Sequence, residues 1–250
     1  MHKIILILLL FVLLFTTNSV SAEMDKFEQA NKFFESKDYD SAIEGYESIL
    51  SEGMESAPLY YNLGNAYFKK GDLGRAVLNY QRAKRLEPAD EDLIHNIEFT
   101  KQFTQVQMEG VQLNPINTFM ESVVGSYKLN TLAWVSSIIF ILFCLLLISR
   151  FGLGMRNSAL RISTTVIFIF LIIISGLTTF KYRNDYLTRR AVIIAEETSV
   201  LNGPTTNSDI EFQGASGLIV EILNESGEYY NVLFENKRRG WIHRDLIAEI

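Results

Sequence analysis

Two stretches of this 250-residue chain run so long without a charged side chain that they restrict what the rest can become. One reads LAWVSSIIFILFCLLLIS, Leu132 to Ser149, and the other ISTTVIFIFLIIISGLTTF, Ile162 to Phe180. A bilayer core about 30 Å thick takes about 20 apolar residues as a helix, so both predict transmembrane helices, over 132–149 and 162–180. The link between them, 150–161, holds Arg150, Arg156 and Arg161 and no acid, which marks it as a cytoplasmic loop. Segment 181–190, KYRNDYLTRR, is also basic and, taken alone, pulls the other way. Inside the two runs the only polar atoms belong to Ser, Thr, Cys and Trp, which offers no path for protons or ions.

The first 22 residues have the layout of a secretory signal peptide. Lys3 supplies a positive start, Ile4 to Phe15 an apolar stretch too short to span, and VSA a small-residue cleavage site ending at Ala22. A cleaved signal, a retained anchor and a buried N-terminal helix all stay open. The signal reading puts 23–131 and the C-terminal region outside the cytoplasm, in agreement with the Arg-rich loop.

The formal charge of −6 gives no basic footprint for nucleic acid. The single cysteine, Cys144, excludes an internal disulfide and any cysteine-based metal centre. The three histidines, His2, His95 and His243, have no metal-ligand spacing, and no nucleophile–base set is apparent. The expectation is a chain without enzymatic activity, metal or cofactor.

Between the N-terminal run and the first span the sequence repeats at 34 residues. KDYDSAIEGY, starting at Lys37, overlays GDLGRAVLNY, starting at Gly71; Ala30 falls on Gly64, Phe33 on Tyr67 and Tyr46 on Tyr80. In unit 57–90, Tyr60, Leu63, Gly64, Tyr67, Gly71, Ala76, Tyr80, Ala83 and Pro88 follow the helix-turn-helix pattern that resembles the tetratricopeptide repeat (TPR) family. Small residues let the paired helices approach, Gly71 ends the first helix and Asp72 caps the second. Gly74 matches no signature position and reads as merely tolerated. No G-x-x-x-x-G-K-[ST] motif supports a phosphate loop. Unit 23–56 departs from the pattern, with Lys26, Gln29, Lys37, Ile49 and Met54 at signature sites, and 91–103 reads as a third first-helix or a cap. The TPR region thus spans 23–108.

The TPR resemblance implies a peptide-binding groove lined by Phe27, Asn31, Phe34, Tyr61, Asn62, Asn65, Phe68, Lys69, Asn96 and Phe99, with Asp92 beside them. Phe27, Asp92 and Asn96 stand where carboxylate-clamp members carry cations, so capture of an acidic C-terminus is not expected. A purely structural role for these residues is the competing reading. Two repeats and a cap are short for a free-standing stack, which predicts docking on the membrane-proximal segment or on another protein.

Segment 109–131 is a linker in which Phe119, Met120, Val123, Val124 and Tyr127 have helical spacing, suited to the membrane surface or to a core. From Ala191 short β-rich runs alternate with turn signals, predicting a small barrel over 191–250. VLNGPTTNS and KRRGWIHRDLI are similar to elements of the bacterial SH3 (SH3b) family. That resemblance implies Tyr229, Tyr230 and Trp241 as surface candidates, with Trp241 also readable as core.

The expected fold class is therefore a multidomain membrane protein: an all-α TPR repeat, a transmembrane helical hairpin and a small all-β SH3b-like barrel. This order of parts resembles the BatE family of bacterial aerotolerance (Bat) operon proteins. The resemblance implies an inner-membrane scaffold whose partners are other Bat proteins with von Willebrand A-type domains. The alternative is a receptor that binds peptidoglycan through the barrel.

Overall fold

The computed structural model describes residues 25–104, 115–155 and 157–250. The expected signal peptide, 1–22, lies outside the described residues, as do 23–24 and 105–108 of the expected TPR region, 109–114 of the linker and Arg156. Five helices form the N-terminal region: α1 (25–35), α2 (Tyr39–Ser51), α3 (Ala57–Lys70), α4 (Leu73–Leu86) and α5 (Glu91–Thr104). Short polar side chains start them. Asp38, Ser56, Asp72 and Asp90 each accept a bond from the backbone N–H three residues on, at 2.9 to 3.3 Å. Such caps contribute about 1 kcal/mol each.

The 34-residue period is carried into the packing. Ala30, Ala42, Tyr46, Leu63, Tyr67, Ala76, Tyr80, Ala83, Leu93 and Ile97 share one buried core. A Cβ on Gly64 would meet the Tyr80 ring at 2.7 Å, so only glycine lets α3 and α4 come this close. Gly71 ends α3 at φ +89°, and Lys37, one period earlier, is held at φ +65°. A side chain in that region costs roughly 1–2 kcal/mol, which glycine avoids.

Helix α6 (Pro115–Val124) leads into α7 (Leu129–Leu147), and α8 (Ser158–Tyr182) returns antiparallel to it. Each long helix continues through a π-helical turn, giving Leu129–Gly152 and Ser158–Leu187 with mean hydropathy 2.7 and 2.2, both long and apolar enough to cross a membrane. At 1.5 Å per residue they extend about 36 and 45 Å, so α8 and its extension outrun a bilayer core of about 30 Å. The segment expected as a basic linker, 181–190, is helical to Leu187. Only Thr188 and Arg189 separate it from the first strand. Phe143 stacks on Phe168 and Ser136 bonds Thr178 at 3.0 Å across the hairpin.

The last sixty residues form one antiparallel sheet: β1 (Arg190–Ile193), β2 (Glu197–Leu201), β3 (Ile210–Ala215), β4 (Ile219–Ser226), β5 (Tyr229–Phe234), β6 (Arg239–His243) and β7 (Ile247–Glu249). Their order is β3-β2-β6-β5-β4-β1-β7. The expected barrel differs here, because β3 and β7 are edges and no ladder joins them. The sheet buries Ile193, Val200, Val220, Val232, Phe234 and Ile242 in a common core. A Cβ on Gly240 would lie 2.3 Å from a Val200 methyl and 3.0 Å from the Leu201 carbonyl, so glycine at that place lets β6 approach β2.

The helical stack docks on this sheet. Val77 and Leu78 of α4 pack with Val192, and Ile194, Ile219, Ala248 and Ile250 complete the cluster. Arg82 donates to the Glu249 carbonyl at 2.8 Å and Arg85 to the Ile250 carbonyl at 3.0 Å. Gly74 is the closest point. A Cβ there would lie 2.7 Å from both the Ile193 carbonyl oxygen and the Ile194 Cα. It is a contact glycine, not a tolerated one. The partner of the short stack is therefore the chain's own sheet, with a Lys128–Glu87 ion pair at 2.7 Å adding a tie to the membrane-proximal segment.

Gly74→Leu should detach the sheet without unfolding α4. Because the obstruction is backbone, a loss of about 1–3 kcal/mol is expected, seen as new protease cleavage around 188–196 and lost amide protection in 73–78. Lys37→Gly should raise the unfolding free energy by about 1 kcal/mol, relieving the positive-φ side chain at the first repeat turn; urea melts check it.

Candidate protein-binding face

The first helices of the repeats, α1, α3 and α5, share a face lined by most residues expected in the groove. Asn31 Oδ1 accepts from the Tyr46 hydroxyl at 2.7 Å and from Asn62 Nδ2 at 2.9 Å. One period later Asn65 Oδ1 accepts from the Tyr80 hydroxyl at 2.7 Å and from Asn96 Nδ2 at 3.1 Å. The rings repeat too, Phe27 against Tyr46 and Tyr61 against Tyr80, and Asn96 Nδ2 also reaches the Tyr61 hydroxyl at 2.9 Å. The asparagines are thus a ladder that joins α1 to α3 and α3 to α5. Both acceptor sites of Asn31 and Asn65 are filled from within the chain. Their structural role is visible directly; what they leave toward solvent is the amide N–H₂ of each.

Burial pushes the Tyr46 hydroxyl up from 10.0 to about 12, and burial raises Tyr80 as well. Burial raises Tyr67 too, aided by its bond to Glu47.

Aromatic surface collects at the α5 end. Phe68 of α3 meets Phe99 and Phe103 of α5 edge-on at 5.7 and 5.9 Å, and those two meet each other at 5.3 Å. Phe99 is 42% exposed and Phe103 52%. Lys69 beside them is exposed, whereas Phe34 packs inward against Tyr39. Phe103 was outside the expected set, although its i, i+4 spacing from Phe99 places both on one side of α5.

The three aromatic candidates of the sheet do not form one surface. Directly paired residues share a face, and Tyr229 pairs with His243, Asn231 with Trp241, and Tyr230 with Ile242. Tyr230 is therefore on the core side, with the Arg189 and Arg244 guanidinium groups each 5.5 Å from its ring centre. Tyr229 is only 9% exposed, covered edge-on by His243, which corrects its expected place on the surface. Trp241 is half-buried on the outer side.

Among the described residues no three His, Cys, Asp or Glu side chains converge to hold a metal. The tetratricopeptide repeat family profile matches residues 57–90, the unit in which every signature position was identified. No curated protein matches the chain. A TPR unit suggests a protein–protein interaction module.

Asn65→Ala should cost about 1–3 kcal/mol, because it strands the buried Tyr80 hydroxyl and leaves Asn96 only its bond to Tyr61. The tyrosines also predict alkaline weakening. Their folded pKa lies above the unfolded value, so the stabilisation is complete below pH 10 and is lost as pH rises through about 12. Urea melts of the helical region should show that decline, and Tyr46→Phe should flatten it.

Proposed function

We propose that this protein is a non-enzymatic membrane scaffold whose helical face binds another protein on the outer side of the cytoplasmic membrane. The observation that supports it is the division of surfaces on the repeat. One side of α4 is covered by the sheet, while the Phe68–Phe99–Phe103 cluster and the amide ladder stay uncovered on the first-helix face. The hairpin returns the chain to the end it entered from, and the α4–sheet contact requires both modules on one side. The signal-like N-terminus and the Arg-bearing link argue that this side is periplasmic.

Of the basic residues after the second span, which pull the other way in sequence, Lys181, Arg189 and Arg190 are engaged in the fold. Lys181 pairs with Asp185 at 3.2 Å, and Arg189 pairs with Glu249 at 2.6 Å and with Glu225 at 3.5 Å. Arg190 bonds Asn184. Once folded, the Lys181 and Arg189 charges are paired with carboxylates, which weakens the pull of this segment on an anionic leaflet.

Within this reading the sheet is an SH3b-like module, and the likeness to the BatE family suggests Bat proteins with von Willebrand A-type domains as partners. The second reading, peptidoglycan binding through the sheet, has only Trp241 on an outer face in its favour.

Site-specific crosslinking from position 69, exposed beside the cluster, should trap a partner in membranes that Phe99→Ser/Phe103→Ser loses at least about tenfold. Both side chains are exposed, so the fold should survive. Crosslinks that persist in the double variant, or that form only from position 241, would refute the proposed face.

A further inference from the structure

The far end of the hairpin holds a cleft of about 550 Å³ lined by Arg150, Phe151, Gly154, Met155, Asn157, Ser158 and Arg161. Among the described residues its two arginines have no carboxylate partner. No acidic residue occurs between Glu121 and Asp185 in the sequence. Asp185 already pairs with Lys181 and is 24 residues along the helix from Arg161, about 36 Å away. Arg150 instead lies over the Phe151 ring at 5.1 Å. The positive end of α8 opens on the same cleft, its first turn capped by Asn157 at 2.7 Å. Around these cations the surface is apolar: Phe151 is 72% exposed, and Leu153 and Met155 are exposed beside it.

We infer that this cleft binds the phosphate of an anionic phospholipid. Guanidinium groups take phosphate oxygens in pairs, and an uncompensated arginine pair at a helix end calls for an anion from the surroundings. A free phosphate satisfies the charge alone. A phospholipid satisfies the charge and also covers Phe151 and Met155 with its glycerol and acyl carbons. Basic clefts between membrane helices at the cytoplasmic surface suit such headgroups. This assignment rests on α7 and α8 spanning a membrane, and it adds a lipid preference to that placement.

The test uses the full-length chain, delipidated in detergent and titrated with phosphatidylglycerol or phosphatidylcholine, with adducts read by native mass spectrometry. Phosphatidylglycerol should be retained about tenfold over phosphatidylcholine, the scale expected of two cations at a membrane surface. Arg150→Gln/Arg161→Gln should abolish that preference, and Arg183→Gln, at the opposite end, should keep it. Excess inorganic phosphate should leave the lipid adducts in place. Equal retention of the two lipids by the unaltered chain would overturn the inference, and so would an unchanged preference in the double variant. Displacement by inorganic phosphate would make the ligand a free anion and overturn the lipid assignment. Flotation with vesicles separates the underlying reading: a chain that floats with neither lipid does not span a membrane, whereas for one that floats with both the retention ratio alone decides the site.

Discussion

Helix α4 lies on the outer face of the sheet, over β1 and its neighbours β4 and β7, at a place where no side chain fits at Gly74. With Gly74 against the Ile193 carbonyl and the Ile194 backbone, Val77 and Leu78 reach Val192, and Arg82 and Arg85 reach the carbonyls of Glu249 and Ile250. The contact supplies what two repeats lack. A short stack leaves one apolar flank uncovered, and here a β-sheet covers it in place of a further repeat. The same contact places the helical module beside the apolar hairpin, since β1 follows the π-helical extension of α8 after two residues.

The hairpin has little protein around it and one polar tie across it, Ser136 to Thr178. The end next to the sheet is rich in partnered charges, while at the far end Arg150 and Arg161 have no ion pair among the described residues. Lys181, Arg189 and Arg190 hold the soluble modules together, while Arg150 and Arg161 face a cleft without counter-ions. Similar side chains thus do different work at the two ends, and the location of the carboxylates decides which.

The repeat was legible because its period appears at every level. Gly64, Gly71 and Tyr80 have the spacing, the backbone angle and the contact that the pattern requires. The asparagines were legible as positions but not as bonds: a one-dimensional pattern places Asn31 and Asn62 on a face, yet only the stacking of α1 on α3 sets their amides 2.9 Å apart. Gly74, Val77 and Leu78 stand at i, i+3 and i+4, a second apolar stripe on α4 that could have announced a docking face. It was obscured because glycine is a weak apolar signal and the TPR pattern already accounted for the other side of the helix. In the sheet, alternation alone separates Tyr229 from Tyr230, but the choice of the core face awaited the pairing of β5 with β6.

By itself the sequence determined the local units, because they depend on near-neighbour physics: a 34-residue helix-turn-helix repeat, two apolar helices with an arginine-bearing link, and a run of short strands. Tertiary structure decided what these units are to one another. It made the sheet the partner of the repeat, left the edges β3 and β7 unpaired, and separated spent arginines from free ones. Those outcomes depend on the convergence of residues over a hundred positions apart, such as Arg82 and Glu249, where neither periodicity nor composition has any reach.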